Sequence, residues 1–402
     1  MEHPEPRTLP MNAHGPLSIL GPATPERRQA REALLLELTQ VPTAAGHEDR
    51  VMAFIDAWLG RFADRVKVAR DDVGNYLVTQ RRHDGTRPLL LATAHLDHPA
   101  FVVTSIDADG TLHLEFRGGV NDPYFVGAAL ELVGPGEARA EAVIATLDGK
   151  ATPFKTVTAR VKGAAPAWLA AGCMARWAFP RAEIKDGCIL TDACDDLAAA
   201  AAALCAFEEL LDERDCGHFG LLLTVAEEVG FQGTIHAARN GWVPKDAVLL
   251  CLENSRSFPH DSPIGAGAIL RVGDRISVFT PEITNRLTEV FWFVTKLDPT
   301  FRWQRKLMPG GACEATAFAA YGYRSTCLCL PLGNYHNMVD IDGVATGTAE
   351  AKVGREFVSI EDFHSLVRML HVAATLMDAP AGERTPDLME RLYREKSFVM
   401  RK

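Results

Sequence analysis

Residues 221–228 read Leu221-Leu222-Leu223-Thr224-Val225-Ala226-Glu227-Glu228, so a largely apolar run leads directly into two adjacent carboxylates. A run this short and this apolar predicts a strand buried on both faces of a parallel sheet. Two charges at the end of such a strand are costly unless a cation or a reacting proton compensates them. The pair therefore predicts a metal site in which one carboxylate binds metal and the other moves protons. A solvated turn is the alternative interpretation.

Two other apolar runs also end in side chains that bind metals. Residues 89–94 lead into His95, and residues 247–252 lead into Glu253. In open α/β sheets, ligands collect at the carboxyl ends of the parallel strands. We therefore expect His95, Glu228 and Glu253 to converge at one edge of a sheet, although the sequence separates them widely.

Further candidate ligands follow from helix and turn signals. Asp195 and Asp196 precede the alanine-rich residues 197–211, which have strong helix propensity. A carboxylate at a helix N-terminus is also favoured by the helix dipole, so helix capping is the alternative role. Asp192 is another carboxylate nearby, and spacing does not choose among the three. His336 follows a strand-like run and a Pro-Leu-Gly-Asn turn signal, so it can return to the same edge.

With these residues the chain resembles the M42 co-catalytic metallo-aminopeptidases and, more distantly, the M28 and M20 metallopeptidases. The matching stretches keep the family's order and span most of residues 27–378. They are Val41-Pro42, Gly46-His47-Glu48, Asp72-Val73-Gly74-Asn75, Ala94-His95-Leu96-Asp97, Asp195-Asp196, residues 224–233, Glu253, Gly310-Gly311 and residues 331–336. The resemblance implies an α/β fold, with a three-layer α/β/α zinc-peptidase-like catalytic domain and an inserted small β-barrel domain.

The resemblance also implies a role for seven residues. His95 and Glu253 would bind one metal ion, Glu228 and His336 the other, and Asp195 would bridge them, with Glu227 as general base and Asp97 as the partner of His95. The implied cofactors are two divalent metal ions, expected to be zinc, with cobalt or manganese as alternatives. A carboxylate two residues after a ligating histidine can hydrogen-bond the other ring nitrogen, and we expect Asp97 to do so.

The chain departs from the family pattern around the substrate pocket. Asp97-His98-Pro99 stands where the family has Asp-Glu, Glu253 replaces the commoner Asp, and residues 311–315 read Gly-Ala-Cys-Glu-Ala instead of Gly-Gly-Thr-Asp-Ala. We expect an aminopeptidase that hydrolyses N-terminal residues from peptides by metal-activated water. The alternatives are an N-acyl or amide hydrolase acting on a non-peptide substrate, and a metal-binding, non-catalytic assembly protein.

Composition excludes several other classes of protein. The chain has 402 residues, 47% of them hydrophobic, and no apolar run approaching the roughly 18 residues of a membrane span. A net charge of -10 argues against nucleic acid as a partner. The proline-rich N-terminus lacks the pattern of a signal peptide. Nine cysteines, without a CxxC pair, indicate a reducing compartment, so we expect a cytoplasmic protein.

Turn and helix signals divide the chain into parts. The predicted parts are an extension over residues 1–24, a discontinuous catalytic domain over 25–103 and 188–402, and an inserted β domain over 104–187. The insert is rich in Gly, Val and Thr, with several Asp-Gly and Gly-Gly turns and no long helical pattern. We expect it to mediate a homo-oligomer, and the resemblance implies a shell that could be dodecameric.

Local patterns also predict individual helices. Thr24-Pro25 marks a helix start, and helices are predicted over residues 25–41 and 47–62. Ser359-Ile360-Glu361-Asp362 predicts the capped start of a C-terminal helix that reaches about Met377.

Overall fold

The computed structural model describes residues 20–400, so the predicted N-terminal extension lies mostly outside the described residues. The α-helices of the described part are α1 Pro25–Leu38, α2 Asp49–Gly60, α3 Leu197–Leu210, α4 Gln232–Arg239, α5 Pro281–Leu297, α6 Glu314–Ala320, α7 Ile341–Ala345, α8 Ile360–Leu376 and α9 Thr385–Lys396. The three helices predicted from local signals are α1, α2 and α8. The starts of α1 and α8 are capped, since Thr24 accepts a hydrogen bond from the Arg27 amide and Ser359 from the Glu361 amide.

Eleven strands follow one another between α2 and α3, and beyond α3 strands mostly alternate with helices. The strands are β1 Val66–Arg70, β2 Tyr76–Gln80, β3 Leu90–His95, β4 Ala100–Ile106, β5 Leu112–Arg117, β6 Ala129–Val133, β7 Arg139–Asp148, β8 Lys155–Val161, β9 Met174–Trp177, β10 Glu183–Lys185, β11 Cys188–Thr191, β12 Phe219–Thr224, β13 Val248–Arg256, β14 Ala268–Gly273, β15 Trp303–Leu307, β16 Arg324–Leu332 and β17 Glu356–Ser359. The three apolar runs singled out in the sequence are β3, β12 and β13.

The main sheet has eight strands in the order β1-β2-β12-β3-β13-β16-β14-β15. Its four central strands, β12, β3, β13 and β16, are parallel to one another, whereas β2 and β14 flank them in the antiparallel direction. The carboxyl ends of the four parallel strands therefore share one edge. The strand β13 does not end at Glu253 as expected, because its pairing with β16 continues to Arg256. Glu253 thus lies inside a paired strand.

Apolar side chains cover both faces of this sheet. One cluster contains side chains of α1, α3 and α8, and a second contains side chains of α4 and α6. The helix α3 is buried along most of its length, and its six successive alanines, residues 198–203, are fully inaccessible to solvent. Small side chains let this helix pack closely against its neighbours, which places its N-terminus, with Asp195, at the edge where the parallel strands end.

The strands β4 to β9 form a separate closed barrel in the order β4-β5-β8-β7-β6-β9. Its interior is aromatic, with the ring of Phe101 centred 4.8 Å from those of both Phe116 and Trp177. This gives the barrel its own hydrophobic core. It begins at Ala100, slightly before the predicted insert boundary at residue 104, because β4 continues the chain almost directly from β3.

No helix within residues 20–400 is long and apolar enough to span a bilayer.

Candidate metal centre

Six side chains with metal-binding groups meet at the carboxyl edge of the four parallel strands. They are His95 at the end of β3, Glu227 and Glu228 after β12, Glu253 in β13, His336 after β16, and Asp195 just before α3. The topology explains the convergence, since adjacent parallel strands deliver their last residues to the same edge.

Three groups of three possible ligand atoms lie in this cluster. One joins His95 to Glu227 and Glu228, and the other two are triads that share one carboxylate. His95, Asp195 and Glu253 each offer an atom within 4.8 Å of the others, and Asp195, Glu228 and His336 do the same. His95 Nε2 lies 3.4 Å from Asp195 Oδ1, whereas His336 Nε2 lies 3.4 Å from Asp195 Oδ2. The two oxygens of Asp195 therefore face different histidines.

Both histidines are held so that Nε2 faces a triad. His95 Nδ1 lies 3.1 Å from the carbonyl oxygen of Asp97, and His336 Nδ1 lies 2.6 Å from that of Gly119. A carbonyl only accepts, so each Nδ1 carries the proton and donates it. Each Nε2 is then left with a free lone pair, as a metal ligand requires.

Burial makes this cluster of carboxylates unfavourable without a cation. Burial and the neighbouring Asp195 raise the pKa values of both Glu228 and Glu253 well above their usual range. Burial lowers the pKa of His95, but Glu227 and Asp195 outweigh it and hold that pKa well above normal. Among residues 20–400, no hydrogen-bond donor reaches Asp195 Oδ1 or Glu228 Oε1. Unpaired buried carboxylate oxygens beside imidazole nitrogens fit divalent metal ions, for which N and O ligands are suitable.

Glu227 belongs to the same cluster but is placed differently from Glu228. Its Oε2 lies 4.0 Å from His95 Nε2. Burial, with the nearby Asp97, raises the pKa of Glu227 well above its usual range, although His95 opposes the shift. A carboxyl group with a raised pKa in a polar cluster is suited to accepting and returning protons near neutral pH.

Asp97 contacts His95, but its carboxylate has another partner. His95 Nδ1 donates its hydrogen bond to the Asp97 carbonyl oxygen, and the carboxylate Oδ1 is 3.6 Å from that nitrogen. The carboxylate accepts instead from the amides of Glu227 at 2.9 Å and Glu228 at 3.0 Å. The Asp97 carboxylate thus lies beside His95 and also holds the two amides that follow β12, and its role as the partner of His95 stays a prediction.

The structure separates Asp195 from the two other aspartates that the sequence left open. Asp192 accepts a hydrogen bond from Arg176 Nη1 at 2.9 Å, and Asp196 accepts one from Asn254 Nδ2 at 2.9 Å. Neither aspartate belongs to a triad within the described part of the chain. Asp195 is the carboxylate that faces both histidines.

Two glutamates that sequence reasoning missed hold the backbone around the cluster. Glu48 Oε1 accepts from the Ala226 amide at 2.9 Å, and Ala226 has a φ of 53°, a left-handed conformation that is costly for a residue with a side chain. Burial, with the charge of Asp97, raises the pKa of Glu48 to about 7. Glu48 thus supports the turn that presents Glu227 and Glu228. Its only sequence signal was its position in the Gly-His-Glu stretch.

The second such residue is Glu356 in β17. Its Oε2 accepts from the amides of Cys194 at 2.7 Å and Asp195 at 3.0 Å, and its Oε1 from that of His336 at 2.8 Å. His336 has a left-handed φ of 52°. One fully buried carboxylate therefore joins two segments that carry ligands. A single glutamate at the start of a short strand offered no sequence signal for this role.

An α/β sheet with such a cluster at the carboxyl edge of its parallel strands, beside a closed barrel, is the architecture of a metal-dependent peptidase. The family described as M42 glutamyl aminopeptidase matches residues 74–348, and the chain belongs to this M42 peptidase family. It is accordingly a peptidase of the hydrolase class.

Individual relatives agree with this membership. A protein of Acetivibrio thermocellus named "Putative aminopeptidase" is 22% identical over 317 residues, which cover 76% of this chain and 92% of the relative. A TET aminopeptidase from a marine-sediment Thaumarchaeota archaeon has a TM-score of 0.68 at 20% identity, covering 87% of this chain and 98% of its own. The Pyrococcus horikoshii TET1 peptidase has a TM-score of 0.65 at 20% identity, covering 86% and 99%. These solved structures share the mixed α/β fold.

Proposed function

We propose that this chain is a di-metal aminopeptidase that removes N-terminal residues from peptides. The observation that carries the proposal is the position of Asp195, whose two oxygens each lie 3.4 Å from Nε2 of a different histidine. One ion would be held by His95, Asp195 and Glu253, and the other by Asp195, Glu228 and His336. When bound, such a pair polarises a substrate carbonyl and lowers the pKa of bound water towards about 7.

The protein's own residues then have separate tasks in hydrolysis. Glu227 accepts the proton of the attacking water and delivers it to the leaving amine. The Asp97 carboxylate accepts hydrogen bonds from the backbone amides of Glu227 and Glu228, and the Asp97 carbonyl oxygen fixes the ring of His95. The fixed tautomers of His95 and His336 keep Nε2 available as a ligand, so the donor set needs little rearrangement.

We make further proposals about the domain architecture of the protein and its location in the cell. The distribution of apolar clusters on both sheet faces supports a three-layer α/β/α catalytic domain of the zinc-peptidase type. We propose that this domain comprises residues 25–103 and 188–402 and that the inserted β domain comprises residues 104–187, with the barrel strand β4 crossing the boundary between them. Zinc as the metal and the cytoplasm as the location stay predictions from the ligand types and the cysteine usage.

Amino-acid amides and peptides test this function directly. We expect metal-loaded protein to release the N-terminal residue of leucinamide-type substrates and short peptides, and chelation to abolish the reaction. The same substrates acetylated at the amino group serve as the comparison, because an aminopeptidase requires a free amine. If only the acetylated substrates are hydrolysed, the protein is an N-acyl hydrolase and not an aminopeptidase.

Glu356→Gln is expected to weaken one metal site more than the other. The amide group replaces an acceptor oxygen with a donor, so at least one of the three backbone N–H groups loses its partner. Losing a supporting contact of this kind costs about 10- to 100-fold in metal affinity. We expect that loss of affinity at the Asp195–Glu228–His336 triad, because Glu356 holds the backbone at both Asp195 and His336. Competition with a chelator measures it.

Glu361→Gln is the matched control for this measurement, since the Glu361 side chain is 68% exposed and pairs with Arg28. It should bind metal as the unmodified protein does. If Glu356→Gln also retains both affinities unchanged, Glu356 does not position the ligands.

We further propose that the chain forms a homo-oligomer. The Pyrococcus horikoshii TET1 peptidase is described as assembling into a tetrahedron or a large octahedral shell, and the barrel here is a separate unit that could supply a repeated contact. Light scattering coupled to size exclusion should give a mass that is a multiple of 43.8 kDa, consistent with a dodecamer if the shell is tetrahedral. A monodisperse monomer at micromolar concentration contradicts this prediction.

A further inference from the structure

Tyr335 borders the space in which a substrate would react. It forms part of the wall of a cavity of about 620 Å³, and the same wall includes Glu253, one of the candidate ligands. Tyr335 also directly precedes His336, another candidate ligand. Because the cavity meets the metal centre at Glu253, the side chain of Tyr335 is placed to contact a substrate that is bound there.

The ring of Tyr335 is held in one orientation. It stacks on the imidazole of His336, with the ring centroids 3.9 Å apart and an angle of 19° between the ring planes. It also packs against the apolar cluster of the main sheet and against the core of the barrel. A tyrosine that buries its ring in this way still has a polar tip, which forms separate contacts. The contacts of the ring therefore determine where the hydroxyl group lies.

The hydroxyl group of Tyr335 makes no hydrogen bond within residues 20–400. It is not enclosed by protein atoms either, so it opens into the cavity that the side chain lines. Two buried tyrosines differ in this respect, since Tyr124 donates to the Val339 carbonyl at 2.8 Å and Tyr323 donates to the Val243 carbonyl at 2.9 Å. Hydroxyl groups of buried tyrosines usually find such a partner. The hydroxyl of Tyr335 is therefore free to contact a group that enters the cavity.

The surrounding side chains indicate which group of a substrate this hydroxyl contacts. The metal centre is lined by carboxylates, which only accept hydrogen bonds and so suit the amine of a substrate. The carbonyl oxygen of the substrate requires a donor instead. Its need for one increases as water attacks, because negative charge then develops on that oxygen. A phenol has an ordinary pKa of about 10, so a tyrosine hydroxyl can act as this donor at neutral pH.

We propose that the Tyr335 hydroxyl donates a hydrogen bond to the oxyanion that forms on the scissile carbonyl during hydrolysis, an inference that rests on the proposed aminopeptidase function. As the oxygen of water bonds to the carbonyl carbon, Glu227 takes a proton from that water and the carbonyl electron pair moves onto the carbonyl oxygen. When the C–N bond breaks, this pair re-forms the carbonyl and Glu227 delivers the proton to the leaving amine. Tyr335 keeps its own proton throughout and stabilises the charge only while it is present.

Tyr335→Phe tests this hydrogen bond, because it removes the hydroxyl and keeps the ring that stacks on His336. With leucinamide as the substrate, we expect kcat to fall by about 10²- to 10³-fold, as for the loss of one donor to an oxyanion, with little change in KM. The metal content, measured by elemental analysis, should be unchanged. Tyr393→Phe is the matched control, since Tyr393 is 61% exposed on α9 and does not line the cavity. It should keep full activity.

Three results with Tyr335→Phe would overturn the proposal. A kcat that falls by less than about 10-fold would mean that the hydroxyl does not contact the oxyanion. A raised KM with an unchanged kcat would mean that the hydroxyl binds the substrate equally well before and during the reaction. Loss of metal would mean that the hydroxyl supports the ligand His336 instead.

Calorimetry with a phosphonate separates this inference from the proposed function. The phosphonic acid analogue of leucine carries a tetrahedral anionic group in place of the carboxylate, so it imitates the reacting carbonyl. The metal-loaded protein should bind it, and Tyr335→Phe should bind it at least about 10-fold more weakly. If the unmodified protein hydrolyses neither leucinamide nor short peptides, the aminopeptidase proposal fails, while this loss of affinity would still support the hydrogen bond. Equal affinity in both proteins, or no binding by either, would overturn the hydrogen bond whatever the activity.

Discussion

Glu227→Gln is expected to abolish peptide hydrolysis while leaving both metal ions bound. Glutamine has nearly the same shape, but it cannot take up the proton of the attacking water. General-base catalysis contributes about 10²- to 10⁴-fold, so kcat should fall by that factor. Glu227 is also absent from the two triads that share Asp195, which is why metal content should persist. Steady-state kinetics and elemental analysis of the same preparation measure the two effects.

Glu228→Gln is the matched control for this substitution. Glu228 Oε1 lies 3.4 Å from His336 Nε2 within the second triad, so its replacement should release metal as well as activity. Retention of more than a tenth of the activity in Glu227→Gln would mean that another residue is the base. If Glu227→Gln loses metal and Glu228→Gln keeps it, then Glu227 is the metal ligand and Glu228 is the general base.

Asp195→Ala is expected to weaken both metal sites together. Asp195 is the residue shared by the triad of His95, Asp195 and Glu253 and the triad of Asp195, Glu228 and His336. Supporting contacts alone are worth about 10- to 100-fold in metal affinity, and removal of a ligand that serves both ions should exceed that at each site. Turnover should be lost with the metals. Competition with a chelator measures both affinities.

Asp192→Asn and Glu253→Ala are the controls. Asp192 forms an ion pair with Arg176, so Asp192→Asn should leave both metal ions bound. Glu253→Ala should empty mainly the site that contains His95. If Asp195→Ala keeps both metals, or loses one and keeps the other at full affinity, then Asp195 does not bridge them.

The parallel core of the fold could be predicted because its strands carry a strong local signal. The runs that became β3 and β12 are apolar apart from Thr93 and Thr224. Turn signals and the resemblance to the family predicted the barrel between them. The pairing of Glu253 inside β13 was not predictable, because a strand's end depends on its neighbour β16 as much as on its own residues. Boundaries set by long-range pairing have no local signal.

The candidate site was predictable to the extent that ligands follow buried strands. Spacing in the sequence could not distinguish Asp195 from Asp192 and Asp196. The distinction depends on residues distant in the sequence, since Arg176 donates to Asp192 and Asn254 donates to Asp196. Glu48 and Glu356 could not be found, since both act on backbone amides of distant segments.

The presence and position of two metal ions can be measured in one experiment. Crystals of zinc-reconstituted protein should give two anomalous difference peaks at the zinc absorption edge. One peak should contact His95, Asp195 and Glu253, and the other Asp195, Glu228 and His336, about 3.5–4 Å from the first as in other two-metal sites. A single peak, or peaks that lie away from Asp195, would contradict the proposed di-metal centre.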